Sequence, residues 1–323
     1  MIKILKWSNV PKDIKEKIMQ RAQADMDPIR EYVAEWINKI KVGGDAGILE
    51  YIRKFDDSDF QIDRLKVNQS DIDEAYSQVD PKVLEMIKKQ IKISKAFHKK
   101  QAEMLDKEWS IETVPGVITG SKKVPVESAG LYVPAGKAPL PTVAQILTVA
   151  ASAAGVPRKV VCFPPTGDHY EIIVAANEAG ADEIYRVGGI AAISALALGT
   201  ETIKPVNVIA GPGNPYVQSA KLQLFGKVGI DMLSGPSEAL AMADSTSNPK
   251  YLAADILARC EHGADSAGVV VTNSMKIADA IKKEVEIQAP KLNRQDYIPE
   301  ALKNYSAIIV VDSEEQMIDF ANE

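Results

Sequence analysis

The chain has 323 residues, of which 46% are hydrophobic and 25% charged, and 38 Lys and Arg against 44 Asp and Glu give a net charge of −6. These values exclude wholesale disorder, and the acidic balance disfavours nucleic acid as a partner, because phosphate binding needs an excess of basic residues. The sequence has no apolar run of about 18 residues, the length needed to span a bilayer, so no membrane partner is expected. The two cysteines, Cys162 and Cys260, and the absence of an apolar leader at the start predict a cytoplasmic protein.

The charges are distributed unevenly along the chain. Only 14 of the 109 residues from 129 to 237 are charged, against 68 of the other 214. A sparsely charged middle predicts a buried α/β unit inserted into a second domain. We therefore expect an inserted domain over 130–237 and a discontinuous domain made of 1–129 and 238–323, whose C-terminal part is missing from this sequence.

The N-terminal third is predicted to be helical. One helix is expected after Pro11, and a second begins at Asp27-Pro28, a favourable helix start. A long amphipathic helix is predicted from 81 to about 105. Two extended runs, 111–114 and 117–121, are joined by Pro115-Gly116 and indicate a β-hairpin.

From Gly130 the pattern changes to short apolar runs that alternate with helical segments. The predicted strands have the sequences GLYVP, KVVCF, EIYRV and NVIAG, and the predicted helices cover 141–155, 168–179, 189–198 and 214–225. A second alternating set runs from 238 to the end. Alternation of this kind predicts an α/β fold with mostly parallel sheets, here two incomplete doubly wound, Rossmann-like domains.

Two loops after predicted strands are candidate ligand sites. GPGNPY, at 211–216, follows a strand and opens a helix, a geometry that lets backbone N–H groups approach an anion. Tyr216 stands where the dinucleotide fingerprint requires a third glycine, so a simple tight turn is the alternative. LYVPAGKAPLP, at 131–141, is either a second ligand loop or a rigid connector.

Two polar motifs lie further along the chain. SGPSEAL, at 234–240, resembles a hinge in which Ser237 either donates to a substrate oxygen or caps a turn. RCEHGADS, at 259–266, places Arg259 and His262 three residues apart on one helix face, with His262 either functional or structural. Cys260 is either a nucleophile or, as is commoner, a buried and inert thiol.

Taken together, the motifs resemble those of the histidinol dehydrogenase family. GLYVPAGKAPLPT, VGGIAAISALALGTETI, GPGNPYV, IDMLSGPSEALAMAD and CEHGADS occur in that family's order and approximate spacing. The resemblance implies two NAD-dependent oxidations that convert an amino alcohol to an amino acid through an aldehyde. It also implies an intertwined homodimer, a zinc ion that orients the substrate, and a Glu-His pair of general bases.

The resemblance assigns candidate site residues by position. The family's NAD contacts fall on Tyr132 and Asn214, while a third contact, a Gln, is Ala191 here. The substrate-contacting serine corresponds to Ser237, and the zinc-binding histidine to His262, which also contacts substrate.

Two features depart from the family pattern. Arg259 stands where the family has a zinc-binding Gln, and a guanidinium has no lone pair for a metal and repels Zn²⁺. The Glu-His bases and two further zinc ligands correspond to positions after Glu323. We therefore expect a fragment of a longer protein or a shortened relative, with no catalytic base within the sequence.

Three functions follow from these observations. The default is the NAD-dependent oxidation of histidinol to histidine. Arg259 on the substrate side favours an anionic alcohol, such as a sulfonated diol, because a guanidinium fork matches anionic groups. The missing bases favour a catalytically inactive binding or scaffold paralogue.

Overall fold

The computed structural model describes residues 2–20, 26–105, 108–135, 139–233 and 237–323, apart from the side chains of residues 17 and 20. The chain forms two compact units. We call residues 26–234 the inserted unit, and residues 1–25 with 235–323 the split unit.

The strands and helices follow one another largely as predicted. In the described residues the strands are β1 (Lys3–Lys6), β2 (Glu108–Val114), β3 (Val117–Lys122), β4 (Ser128–Tyr132), β5 (Arg158–Phe163), β6 (Glu183–Arg186), β7 (Val208–Ala210), β8 (Gly229–Ile230), β9 (Glu238–Ala243), β10 (Ala267–Thr272) and β11 (Ala307–Val310). The α-helices are α1 (Lys12–Gln20), α2 (Asp27–Phe55), α3 (Gln69–Gln78), α4 (Pro81–Glu103), α5 (Pro141–Ala153), α6 (Tyr170–Ala179), α7 (Gly189–Leu198), α8 (Pro215–Leu224), α9 (Pro249–Cys260), α10 (Met275–Gln288), α11 (Ile298–Asn304) and α12 (Glu314–Asn322). None of the described helices has both the length and the apolar character that a membrane crossing requires.

The inserted unit is built on a parallel sheet with the order β6-β5-β4-β7-β8. Successive residues of β5 enter two different cores, Val160 and Cys162 on one face and Val161 and Phe163 on the other. Burial on both faces explains why these strands read as continuous apolar runs. The strand order reverses between β4 and β7, the switch point where open α/β sheets bind ligands.

Helices from the N-terminal third complete this unit. α2 packs on α7 and α8, while α3 and α4 pack on α5 and α6. The unit therefore begins at Met26, which corrects the expected domain boundary at 130. The physical reason is that a covering helix buries only one face, as α2 buries Val33, Trp36 and Ile40, so its charges mark an outer layer of this unit. α2 bends at Gly44, which has a φ of +54°.

The hairpin of β2 and β3 is antiparallel, as predicted. Its residues are exposed along both strands, including Trp109 (56%), Ile111 (58%) and Ile118 (72%). An isolated two-stranded hairpin is marginally stable in water, and exposed apolar side chains of this kind are typical of interaction surfaces.

The split unit has a second parallel sheet, with the order β1-β11-β10-β9. α9, α10 and α11 cover one face, where Ile256, Ile281 and Ile308 are buried. On the other face Phe320 of α12 meets Trp7 edge-on, with ring centroids 4.9 Å apart. The N-terminal strand therefore joins a sheet formed by the end of the chain.

Candidate functional site

The loop after β7 lies at the switch point of the inserted sheet. Gly211 has a φ of +132°, and a Cβ built on it would lie 2.2 Å from the Tyr132 carbonyl oxygen at the end of β4. Only glycine fits such a close approach. Asn214 caps α8, since its side-chain oxygen accepts a hydrogen bond from the Val217 N–H at 3.1 Å. The predicted turn that opens a helix is thus present.

A buried ion pair that sequence analysis missed holds this turn. The Lys221 side chain is fully buried, and its Nζ lies 2.8 Å from Asp231 Oδ1 and donates to the Gly211 carbonyl. Asp231 Oδ2 accepts the Gly211 N–H at 2.8 Å. The available signal was a lysine on the apolar face of α8, in register with Val217, Ala220 and Leu224.

Tyr132, the other predicted NAD contact, is only 4% exposed. Its phenol oxygen accepts the Gly189 N–H at 3.3 Å, and the Tyr51 phenol oxygen accepts the next one, from Ile190, at 3.3 Å. The two phenols thus cap α7, whose N-cap residue, Gly188, has no side chain. Burial raises the pKa of Tyr132 to about 12, so the phenol is neutral near pH 7. Ala191, at the position of the family's Gln, is buried in α7.

Near these phenols lies a carboxyl group that sequence analysis did not identify. Asp56 follows α2, and its Oδ2 is buried without a hydrogen-bond partner among the described residues. Burial raises the pKa of Asp56 to about 6. The Asp56 charge in turn contributes to the raised pKa values of Tyr51 and Tyr132.

The predicted substrate residues lie beside the amino ends of two neighbouring strands of the split sheet. Ser237 directly precedes β9, and its carbonyl accepts the N–H of Ala267, the first residue of β10, at 3.0 Å. Arg259 is in the last turn of α9, and His262 follows that helix, with its N–H bonded to the Arg259 carbonyl at 3.1 Å. All three residues thus lie at the amino ends of β9 and β10. The side chains of Arg259 and His262 are exposed.

Residues 136–138 of the predicted loop at 131–141, and residues 234–236 of the SGPSEAL motif, lie outside the described residues. Cys260 is buried beside Ser306, its Sγ 3.4 Å from the hydroxyl, and burial raises its pKa. A neutral, enclosed thiol is a poor nucleophile, which agrees with the inert alternative.

The predicted zinc site requires three or four donor side chains. Across the described residues, no group of three or more His, Cys, Asp or Glu side chains is placed to hold a metal. Arg259 cannot ligate a metal while protonated. Among the described residues His262 is therefore the one predicted zinc ligand, and a complete set of three or four donors is not present there.

The two parallel sheets and the glycine turn at the switch point define a doubly wound α/β protein of the kind that binds nucleotides. A family model described as histidinol dehydrogenase matches residues 19–323. Histidinol dehydrogenase of Carboxydothermus hydrogenoformans is 42% identical over 305 residues, which cover 94% of this chain and 71% of that protein. The enzyme of the same name from Methanothermobacter thermautotrophicus is 37% identical over 309 residues, covering 95% of this chain and 71% of its own.

A solved structure agrees with these matches. The crystal structure of histidinol dehydrogenase from Elizabethkingia anophelis matches with a TM-score of 0.89 and 34% identity, over 99% of this chain and 73% of that chain. The chain belongs to the histidinol dehydrogenase family.

Proposed function

We propose that this protein oxidises histidinol to histidine with NAD as the hydride acceptor. The observation that carries the proposal is the family match over residues 19–323, joined to a glycine turn at the switch point of the inserted sheet. Bound NAD supplies the group that accepts a hydride from the substrate carbon. Nothing in the comparisons favours an anionic alcohol or an inactive paralogue.

Tyr132 and Asn214 are the proposed cofactor-binding residues. Their loops follow β4 and β7, and Gly211 lacks the side chain that would separate them. Asn214 caps α8, so the first turn of that helix presents its N–H groups and positive dipole end at the carboxyl edge of the sheet. This arrangement fits a pyrophosphate. Tyr132 contributes mainly by fixing the start of α7, since its ring is buried.

Ser237, Arg259 and His262 are the proposed substrate-binding residues. The Ser237 hydroxyl can donate to a substrate oxygen. The planar guanidinium of Arg259 matches the carboxylate that the second oxidation creates. The exposed His262 imidazole is free to contact the substrate, and it remains the predicted metal ligand. No residue of this chain is proposed as the general base.

A homodimer and a cytoplasmic location complete the proposal. The exposed apolar side chains of the β2–β3 hairpin support the dimer, because a second copy would cover them. The free thiols of Cys162 and Cys260 support a reducing compartment.

The proposal is tested with the purified protein. With NAD and histidinol present, NADH absorbance should rise, with two NADH formed per histidinol because an alcohol becomes a carboxylate. The Ser237→Ala variant should raise the KM for histidinol and leave the Kd for NAD unchanged. Failure of the wild type to bind NAD, or to form NADH from histidinol, would overturn the proposal.

A further inference from the structure

We propose that Lys221 and Asp231 are positioning residues for the cofactor, whose task is to hold the Gly211–Asn214 turn in its binding conformation. This inference rests on the proposed use of the turn for NAD. Neither residue was among the candidate site residues, and neither is proposed to contact the cofactor or the substrate.

The Lys221–Asp231 pair satisfies both backbone polar groups of Gly211. Lys221 donates to the Gly211 carbonyl, Asp231 accepts the Gly211 N–H at 2.8 Å, and the two side chains pair at 2.8 Å. These bonds form a closed ring around a single residue. Glycine can adopt many backbone conformations, and these bonds restrict Gly211 to the one at φ +132°.

Burying the Lys221 ammonium costs desolvation free energy. The Lys221 side chain is 0% exposed and that of Asp231 is 30% exposed, so an ammonium group has been removed from water. A buried ion pair is weak evidence for stability, because desolvation offsets the attraction. A positional role accounts for this pair better than a stabilising one, since it lies under the turn at the switch point.

Lys221 differs from a lysine that binds phosphate directly. Its ammonium has no exposed surface and is already bonded to Asp231 and Gly211, so it cannot reach a phosphate. The pair is also neutral overall. Its effect on NAD affinity should therefore be geometric and insensitive to salt concentration.

The inserted unit offers a matched control. Lys159 pairs with Asp182 at 2.8 Å, donates to the Val156 carbonyl, and gives its own backbone N–H to Asp182 at 2.7 Å. Its side chain is 11% exposed. This second pair lies at the amino end of β5, the edge of the sheet opposite to the switch point.

The test compares Lys221→Met with Lys159→Met in the purified protein, by calorimetric titration of NAD and by thermal unfolding. We expect both variants to lower the Tm. Lys221→Met should raise the Kd for NAD about tenfold or more, at low and high salt alike, with the KM for histidinol changed less than about twofold. Lys159→Met should leave the Kd for NAD within about twofold of wild type.

Further variants keep the inference falsifiable. If Lys221→Met does not fold, Asp231→Asn replaces it, because a carboxamide oxygen can still accept the Gly211 N–H while the ion pair is lost. The double variant Lys221→Met/Asp231→Asn should regain part of the Tm, since no charge is left unpaired, but not the NAD affinity. The inference would be overturned if the variants of the Lys221–Asp231 pair bound NAD as tightly as wild type, or if Lys159→Met lost as much NAD affinity as they do. Neither result would contradict the proposed function. Absence of NAD binding by the wild type would instead refute the proposed function.

Discussion

Replacing Gly211 by alanine places a methyl group 2.2 Å from the Tyr132 carbonyl oxygen, at a φ of +132°. The backbone conformation alone costs about 1–3 kcal/mol for a residue with a side chain. Moving a backbone carbonyl out of the way adds about 1–3 kcal/mol. We therefore expect Gly211→Ala to destabilise the inserted unit by about 4 kcal/mol. At roughly 2–4 °C per kcal/mol for a unit of about 200 residues, the Tm falls by about 8–16 °C.

The assay pairs thermal unfolding with NAD titration, and Gly226→Ala is the control. Gly226 has a φ of +94°, but nothing lies within 4 Å of its ideal Cβ. Its replacement should therefore cost only about 1–2 kcal/mol and leave NAD affinity unchanged. The Gly211→Ala protein that remains folded should bind NAD at least about tenfold more weakly than wild type. Equal Tm values and equal NAD affinities in the two variants would refute the close approach of the turn to β4.

Three further predictions concern other parts of the molecule. The pKa of Asp56 is raised to about 6 in the folded state, so the contribution of this carboxyl group to stability is lost as pH rises from about 4 through 6. In urea unfolding, Asp56→Asn should therefore be more stable than wild type by about 1–2 kcal/mol at pH 8 and equally stable near pH 4. An equal difference in stability at both pH values would contradict this. Arg259→Gln should increase the zinc content of the purified protein, measured by atomic emission, because a carboxamide oxygen can ligate a metal and a guanidinium cannot. An unchanged zinc content would show that Arg259 is not what limits zinc binding. The double variant Trp109→Ser/Ile118→Ser should shift the protein from dimer to monomer in light scattering. An unaltered dimer would show that the hairpin does not form the dimer interface.

The alternation from 130 onward could be predicted because strands such as β5, which is buried on both faces, appear as apolar runs separated by helices. β1 could not, since the sequence KILK has lysine at both ends and becomes a strand only by pairing with β11, some 300 residues later. The boundary of the inserted unit was placed wrongly at 130 because charge density reports how much of a helix faces water. It does not report which sheet that helix covers.

The candidate site was predicted in part. The turn at 211–214 could be recognised because Gly and Asn directly after a strand are typical of a tight turn that opens a helix. Lys221 could not be assigned to it, since its partners Asp231 and the Gly211 carbonyl lie 10 residues away on either side and meet only in the folded unit. The N–H that donates to the Tyr132 phenol likewise comes from Gly189, 57 residues later in the chain. The roles of Tyr132, Asn214, Ser237, Arg259 and His262 stay predictions.

A crystal structure of the protein with NAD tests the central proposal most directly. The account predicts that the dinucleotide lies at the carboxyl ends of β4 and β7, with its pyrophosphate against the Gly211–Asn214 turn and the first turn of α8. A dinucleotide bound away from these loops, or crystals that admit none at saturating concentration, would contradict it.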